Sequence, residues 1–400
     1  MLDRNLTRFV LGTEFELLDS RPFRDGHKWI VRKHRQAFEI CTRCGERSNT
    51  RAGQCKALLR DEPLRSQGLW IELHKHRYYC KRCRKPFTET TSLSWPRRRT
   101  TYRLRKYVAK LCHDMTDLGR VRKRTGMSNG FIYQVYYDQV ETRLRERRDS
   151  IKWPTSLGID EHFFSRSKGF TEYVTVFTDL NQRKLFEVAR GKDNRSLIAQ
   201  IESIPGREHV REVAIDMSGS YRALVRKLFP QAKIVADKFH VLRLLSPSII
   251  KERHTVQGNI FDARTRRMLL MNRHRLDYFE RSEIDIFLRR HPSLEVLYRA
   301  KEKLHQIYRT NGYEKASKSL DRFIEELKNQ TSEPLMRLAR TLRSWRNEIL
   351  EYFRRRLTNA FTEQTNNRGK LVQKRGYGYR SFRNYRLRLL SACLHEGCAL

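Results

Sequence analysis

The chain has 400 residues, 38% of them hydrophobic, and 84 Lys+Arg against 45 Asp+Glu leave a formal net charge of +39. That apolar content supports real cores in roughly two to four domains. The charge points to a polyanionic partner, nucleic acid, and argues against a merely solvated basic surface. No apolar run approaches the length of a membrane span, and Met1-Leu2-Asp3-Arg4 opens no signal-peptide h-region, so a soluble protein of a reducing compartment is expected. Its eight cysteines then read as metal ligands or free thiols, not as disulfides.

In chain order, Cys41-Thr42-Arg43-Cys44-Gly45 and Cys80-Lys81-Arg82-Cys83 form two C-x2-C pairs. Each pair can wrap a turn around Zn2+, and together Cys41, Cys44, Cys80 and Cys83 make a closed structural four-thiolate site. The second pair follows strand-like Trp70–Leu73 and Arg77–Tyr79, as in a zinc ribbon, and the long spacing leaves room for a loop around Cys55. Cys55, Cys112, Cys393 and Cys398 lack a matched partner and read as ordinary thiols, and His74 and His76 as surface histidines. A zinc-ribbon domain is expected over 1–95.

Residues 96–150 predict a helix-turn-helix unit: a basic helix over Tyr102–Asp114, another through Arg122-Lys123-Arg124, a turn at Gly126, a cap at Ser128 and a further helix. If this unit reads DNA, Ser128 and Asn129 meet base edges while Arg122, Lys123 and Arg124 meet phosphates. Any small three-helix packing unit shows the same apolar spacing, so both readings stand.

From Ser156 the pattern changes to strands. Leu157–Phe164, Tyr173–Leu180 and Leu185–Ala189 are joined by hairpin-like Ser165–Gly169 and Asn181–Arg183, predicting antiparallel pairing. A helix (Ser196–Ile204), strand Val210–Asp216, helix Tyr221–Phe229, strand Lys233–Ala236 and a helix from Phe239 follow. The order βββαβαβα is that of the ribonuclease-H-like fold, a mixed five-stranded sheet in which strands one and four are neighbours. Asp160 and Asp216 then lie on strands about 4.8 Å apart and can share metal ions, whereas Asp237 sits one strand further out. Asp237 and His240 are expected behind the metal-binding acids, or against DNA.

Residues 241–344 read as an all-helical insertion broken at Pro292, Asn311-Gly312 and Pro334. Leu335, Leu338, Leu342, Trp345, Ile349 and Tyr352 mark one amphipathic packing helix leading back to the core. Glu363 opens a last helix, with Asn367, Lys370 and Lys374 on its face, placed to hold phosphates. The rings of Tyr377 and Tyr379 either stack on a flipped or terminal base or pack in the core. The core thus comprises 151–240 and 345–400. Three carboxylates converging on one point would hold two divalent cations against a phosphodiester.

The chain resembles the DDE transposases of bacterial insertion sequences, specifically the ISL-three family. Gly158-Ile159-Asp160-Glu161, Asp216-Met217-Ser218 with Tyr221, Asp237-Lys238-Phe239-His240, and Glu363 with Asn366-Asn367 and Lys370 carry the resemblance. A Ser-Asn-Gly start and a Gly after the last acid would be typical; here stand Thr358-Asn359-Ala360 and Gln364. The resemblance implies a catalytic triad of Asp160, Asp216 and Glu363 binding Mg2+ or Mn2+, with the helical insertion between the second and third acids. It further implies cleavage and strand transfer at terminal inverted repeats, a target DNA, a homodimer or higher oligomer on paired ends, and a cytoplasmic, nucleoid-associated protein. The rivals are a catalytically silent DNA-binding regulator and a nuclease or resolvase without strand transfer.

Overall fold

The computed structural model describes residues 9–114, 117–148, 152–167, 170–258 and 262–394. Gly169, expected in a hairpin connection, and Cys398, expected as an ordinary thiol, lie outside the described residues. The chain divides into two compact units, Met1–Glu146 and Arg147–Leu400. No helix among the described residues is long and apolar enough to cross a membrane.

In the first unit, β1 (Phe15–Phe23) and β2 (Gly26–Lys33) form a hairpin. The short pair β3 (Glu39–Ile40) and β4 (Arg47–Ser48) frames the first cysteine pair. The long strands β5 (Arg51–Leu64) and β6 (Gln67–Cys80) pair antiparallel, β2 joins β6 in parallel, and β7 (Lys85–Thr88) pairs with the end of β6. Phe15, Trp29, Val31, Leu59, Ile71 and Leu73 supply the core. The loop expected around Cys55 is absent: Cys55 lies within β5, opposite Lys75. The start of β5 is exposed on both faces, so it carries no apolar alternation to betray a strand.

Three helices follow: α1 (Tyr102–Asp114), α2 (Leu118–Thr125) and α3 (Asn129–Arg148). Gly126 adopts a left-handed φ of 67°, and its N–H caps α2 on the Arg122 carbonyl. The Ser128 Oγ accepts from the Phe131 N–H at 3.3 Å, starting α3. Buried Asp61 of β5 accepts from Thr101 and Arg103, tying α1 to the sheet.

The second unit holds a mixed sheet of β8 (Ser156–Ser167), β9 (Phe170–Asp179), β10 (Lys184–Arg190), β11 (Glu212–Ile215) and β12 (Lys233–Ala236), ordered β10-β9-β8-β11-β12. β8, β9 and β10 are antiparallel; β8–β11 and β11–β12 are parallel, so strands one and four are neighbours as expected. The β8–β9 connection is shorter than expected, because Ser165, Arg166 and Ser167 still pair with Glu172, Thr171 and Phe170. These polar residues pair through the backbone and show no apolar pattern.

Leu157, Ile159, Phe177, Val213 and Ile215 pack with α4 (Asn194–Ile201) and α5 (Gly219–Leu228). The remaining helices are α6 (Lys238–Leu242), α7 (Ser246–Gln257), α8 (Ala263–Leu270), α9 (Tyr278–Arg289), α10 (Pro292–Arg309), α11 (Tyr313–Lys328), α12 (Glu333–Ser344), α13 (Arg346–Arg355), α14 (Ala360–Arg375) and α15 (Phe382–Leu394). Pro292 and Pro334 sit in first turns, where no N–H is required. The single helix expected through Leu335–Tyr352 is two: Trp345, with ψ of 14°, separates α12 from α13. Its ring lies under the Arg222 guanidinium at 3.5 Å, and one non-helical residue leaves the buried stripe unbroken.

Candidate functional site

Side chains alternate along β8, so Leu157 and Ile159 enter the apolar layer while Gly158, Asp160 and His162 face α14. α14 lies close against the strand because Gly158 has no side chain. A Cβ there would stand 2.1 Å from the Thr362 Oγ1 and 2.6 Å from the Asn359 Oδ1. Asn359, just before α14, fixes the helix start: its Nδ2 donates to the Ile159 carbonyl and its N–H to the Asp237 Oδ1, both at 3.0 Å.

Asp160 Oδ2 accepts from the Asn366 Nδ2 at 2.8 Å, and Oδ1 from the Glu161 N–H at 2.9 Å. Burial pushes the Asp160 carboxyl up to about 6, reinforced by the Glu161 and Asp216 charges. Parallel pairing matches Ala214 with Gly158, and Asp216 and Asp160 each lie two residues further along their chains, Asp216 just past the end of β11. Asp216 Oδ1 accepts from the Ser218 N–H at 3.1 Å, turning the chain into α5. Its carboxyl is also raised, by burial first and then by the Glu161 charge.

Asp237 lies past β12, is buried, and has both oxygens engaged: Oδ1 by the Asn359 N–H and Oδ2 by the His240 Nδ1 at 3.0 Å. The Asp237 hydrogen bond raises the His240 pKa, and the Asp160 and Asp216 charges add to it. Glu363 is exposed in the first turn of α14, and Asn367, Lys370 and Lys374 are exposed further along it. Tyr377 is 94% exposed, whereas Tyr379 packs edge-on against Tyr385, so the two rings part company.

Sequence reasoning gave no role to four residues around these acids, Asn366, His162, Tyr385 and Glu161. Asn366 entered only as part of a motif, yet it holds Asp160. Its Oδ1 meets the His162 Nδ1 at 2.9 Å, and the His162 Nε2 meets the Tyr385 hydroxyl at 2.6 Å. Glu161 buries its Oε2 without a hydrogen-bond partner on the opposite face of β8, where its charge helps raise the Tyr221 hydroxyl pKa. Neighbouring carboxylates with raised pKa values suit a divalent cation with oxygen ligands. Among the described residues, only the cysteine set brings three or more such donor atoms all within 4.8 Å of one another; the carboxylates stand further apart.

In the first unit the Sγ atoms of Cys41, Cys44, Cys80 and Cys83 form that cluster, with Cys44 and Cys80 3.6 Å apart. A tetrahedral Zn2+ with Zn–S near 2.3 Å requires an S···S edge of about 3.8 Å, so the donor set fits zinc. The Arg43 and Cys44 backbone N–H groups hold the Cys41 thiol down to about 7, favouring the thiolate that binds metal. Tyr78 and Phe87 pack beneath it. Arg122, Lys123, Arg124, Ser128 and Asn129 are all exposed. Arg122, Lys123 and Asn129 line a concavity of about 760 Å3 together with Arg120 and Gly126.

A family model of the DDE ISL3 type, described as transposase, matches residues 157–389, which span the sheet, the helical segment and α14. The chain is also 25% identical over 370 residues to the transposase for insertion sequence element IS1001 of Bordetella parapertussis, covering 88% of each chain. With the family match extending over more than half its length, the chain belongs to the ISL3 family of DDE transposases.

Proposed function

We propose that the second unit is a ribonuclease-H-like catalytic core in which Asp160, Asp216 and Glu363 hold two Mg2+ or Mn2+ ions, cutting DNA at an insertion-sequence end and joining the freed end to target DNA. The observation that carries this reading is the parallel β8–β11 pair, which sets two half-buried carboxylates of raised pKa, each two residues past the Gly158–Ala214 pair, beside the helix that bears Glu363. The bound cations would polarise the scissile phosphate and activate first water and then the 3′-hydroxyl. The chain does the positioning. Asn366 orients Asp160, the Ser218 N–H orients Asp216, and Asn359 fixes α14 and with it Glu363. Asp237 stays behind the site with His240, because it is buried past β12, one strand beyond β11, where it holds the Asn359 N–H and the His240 ring. Lys370, Lys374 and Asn367 grip phosphates along α14.

The first unit serves recognition: a zinc ribbon within 1–95 and a helix-turn-helix within 96–150, with Ser128 and Asn129 at base edges and Arg122, Lys123 and Arg124 at phosphates. Two copies would act on paired ends in the bacterial cytoplasm. Purified protein incubated with Mg2+ and duplexes carrying the element ends should release 3′-hydroxyl ends. Asp160→Asn, Asp216→Asn and Glu363→Gln should each bind the duplex and leave it uncut. Cleavage of ordinary rate by any of the three removes that acid from the centre.

A further inference from the structure

Asn366, His162 and Tyr385 are 2%, 3% and 0% exposed, and they join in one line from α15 through β8 and α14 to Asp160. We propose that Tyr385, His162 and Asn366 form a positioning relay that holds the Asp160 carboxylate in its cation-binding orientation; this rests on Asp160 being a metal ligand.

The polarity of the line follows from what each atom can do. An ionised carboxylate only accepts, so Asn366 must turn its NH2 to Asp160 and its carbonyl oxygen to His162. That oxygen also only accepts, so the His162 Nδ1 carries the hydrogen. The buried ring meets an amide and a phenol and no carboxylate, so it carries a single hydrogen, already on Nδ1; Nε2 is left as an acceptor and Tyr385 donates its O–H. Each contact pairs one donor with one acceptor. The reversed polarity would aim the Asn366 carbonyl at the Asp160 Oδ2 across 2.8 Å, two acceptors face to face. Gly369 makes the arrangement possible: a Cβ there would lie 2.6 Å from the Tyr385 hydroxyl and 3.0 Å from the His162 Nε2. Because Asn366 and Glu363 share α14 one turn apart, the relay also sets the helix bearing one acid against the strand bearing the other.

The test is Mn2+ binding to full-length, zinc-loaded protein, followed by the electron paramagnetic resonance of free Mn2+, with melting temperature and zinc content recorded for each variant. His162→Leu strands the Asn366 carbonyl and should weaken Mn2+ binding by about tenfold, the scale for groups that orient metal ligands. His162→Gln offers an NH2 to Asn366 and an oxygen to Tyr385, and should restore most of that affinity. Tyr385→Phe should fall between. Wild-type affinity in folded His162→Leu, alongside lost binding in Asp160→Asn, overturns the relay. Wild-type affinity in Asp160→Asn overturns instead the reading of Asp160 as a ligand. If His162→Leu fails to fold, the 15N resonances of the wild-type ring, assigned by their loss in His162→Gln, decide: Nδ1 protonated and Nε2 bare support the relay, and the opposite tautomer excludes it.

Discussion

Asp216 and Asp237 each follow the last residue of neighbouring parallel strands, and composition alone cannot separate them. Strand order and burial can: β11 lies next to β8 and β12 one strand further out, and Asp237 is buried where Asp216 is half-buried. Asp237 spends one oxygen on a backbone N–H and the other on His240, while Asp216 has only the Ser218 N–H on Oδ1. Asp216→Asn should therefore abolish cleavage with end binding nearly intact. Asp237→Asn should keep measurable cleavage in the same assay and lose on the order of 1–2 kcal/mol of stability from the altered His240 bond. A dead Asp237→Asn beside an active Asp216→Asn would reverse the assignment. Asp160 yields a pH prediction. Its folded pKa, about 6, stands above the ordinary carboxylate value of 3.8, so between the two the native state binds more protons and stability falls as pH rises. In metal-free protein, Asp160→Asn should melt above wild type at pH 7.5, by on the order of 2 kcal/mol. That advantage should fade as pH drops from 6 toward 3.8. Added Mn2+ should stabilise wild type and leave the variant unmoved. An advantage independent of pH would mean that the Asp160 charge carries no burial cost.

At the scale of elements, α14 depends on one missing methyl group. Gly158→Ala places a Cβ 2.1 Å from the Thr362 Oγ1, and α14, with Glu363, must lift from β8. Cleavage and melting temperature should fall together, while zinc content, set in the other unit, stays put. The thiolate cluster predicts the converse: about one Zn per chain, lost in Cys41→Ser or Cys80→Ser, with folding of the first unit impaired. A zinc-replete fragment beginning at Lys152 would contradict that placement. These elements also mark how far the sequence could be read. β8, β11 and their flanking helices were legible because apolar runs ended at named acids, and Gly126, Pro292 and Pro334 punctuated the helices where expected. β1 and the start of β5 were not legible, since charged and polar residues on exposed faces erase the period-two pattern, and β2 buries Trp29, Ile30 and Val31 in succession and so shows no alternation. The break at Trp345 hid inside a continuous apolar stripe. Asn366, His162 and Tyr385 escaped for a different reason: their contacts join residues 204 and 223 positions apart, and no local pattern announces a hydrogen bond of that reach.

Across the whole molecule, a net charge of +39 is far more than sequence discrimination needs, so charge and discrimination should be separable. Phosphates are alike in every duplex, and neutralising them releases counterions. The logarithm of the end-binding constant should therefore fall by about 0.9 for each phosphate neutralised per decade of salt. Base edges in the major groove differ from pair to pair, and a helix N-terminus carrying small polar side chains can read them. Ser128 and Asn129 stand exposed at the start of α3, beside the exposed Arg122, Lys123 and Arg124. In the full-length protein, Ser128→Ala and Asn129→Ala should lower the preference for element ends over scrambled duplexes while leaving the salt slope nearly unchanged. Arg122→Ala and Lys123→Ala should do the opposite, reducing the slope by about one each and weakening both duplexes alike. Removing residues 1–150 should cost discrimination more than total affinity, because Lys370, Lys374 and much of the remaining charge stay with the second unit. Gel shifts over a range of salt, with end and scrambled duplexes side by side, read both quantities from one series. If the truncated chain still prefers its own ends as strongly as the whole protein does, base reading resides in the second unit, and α3 is a packing helix.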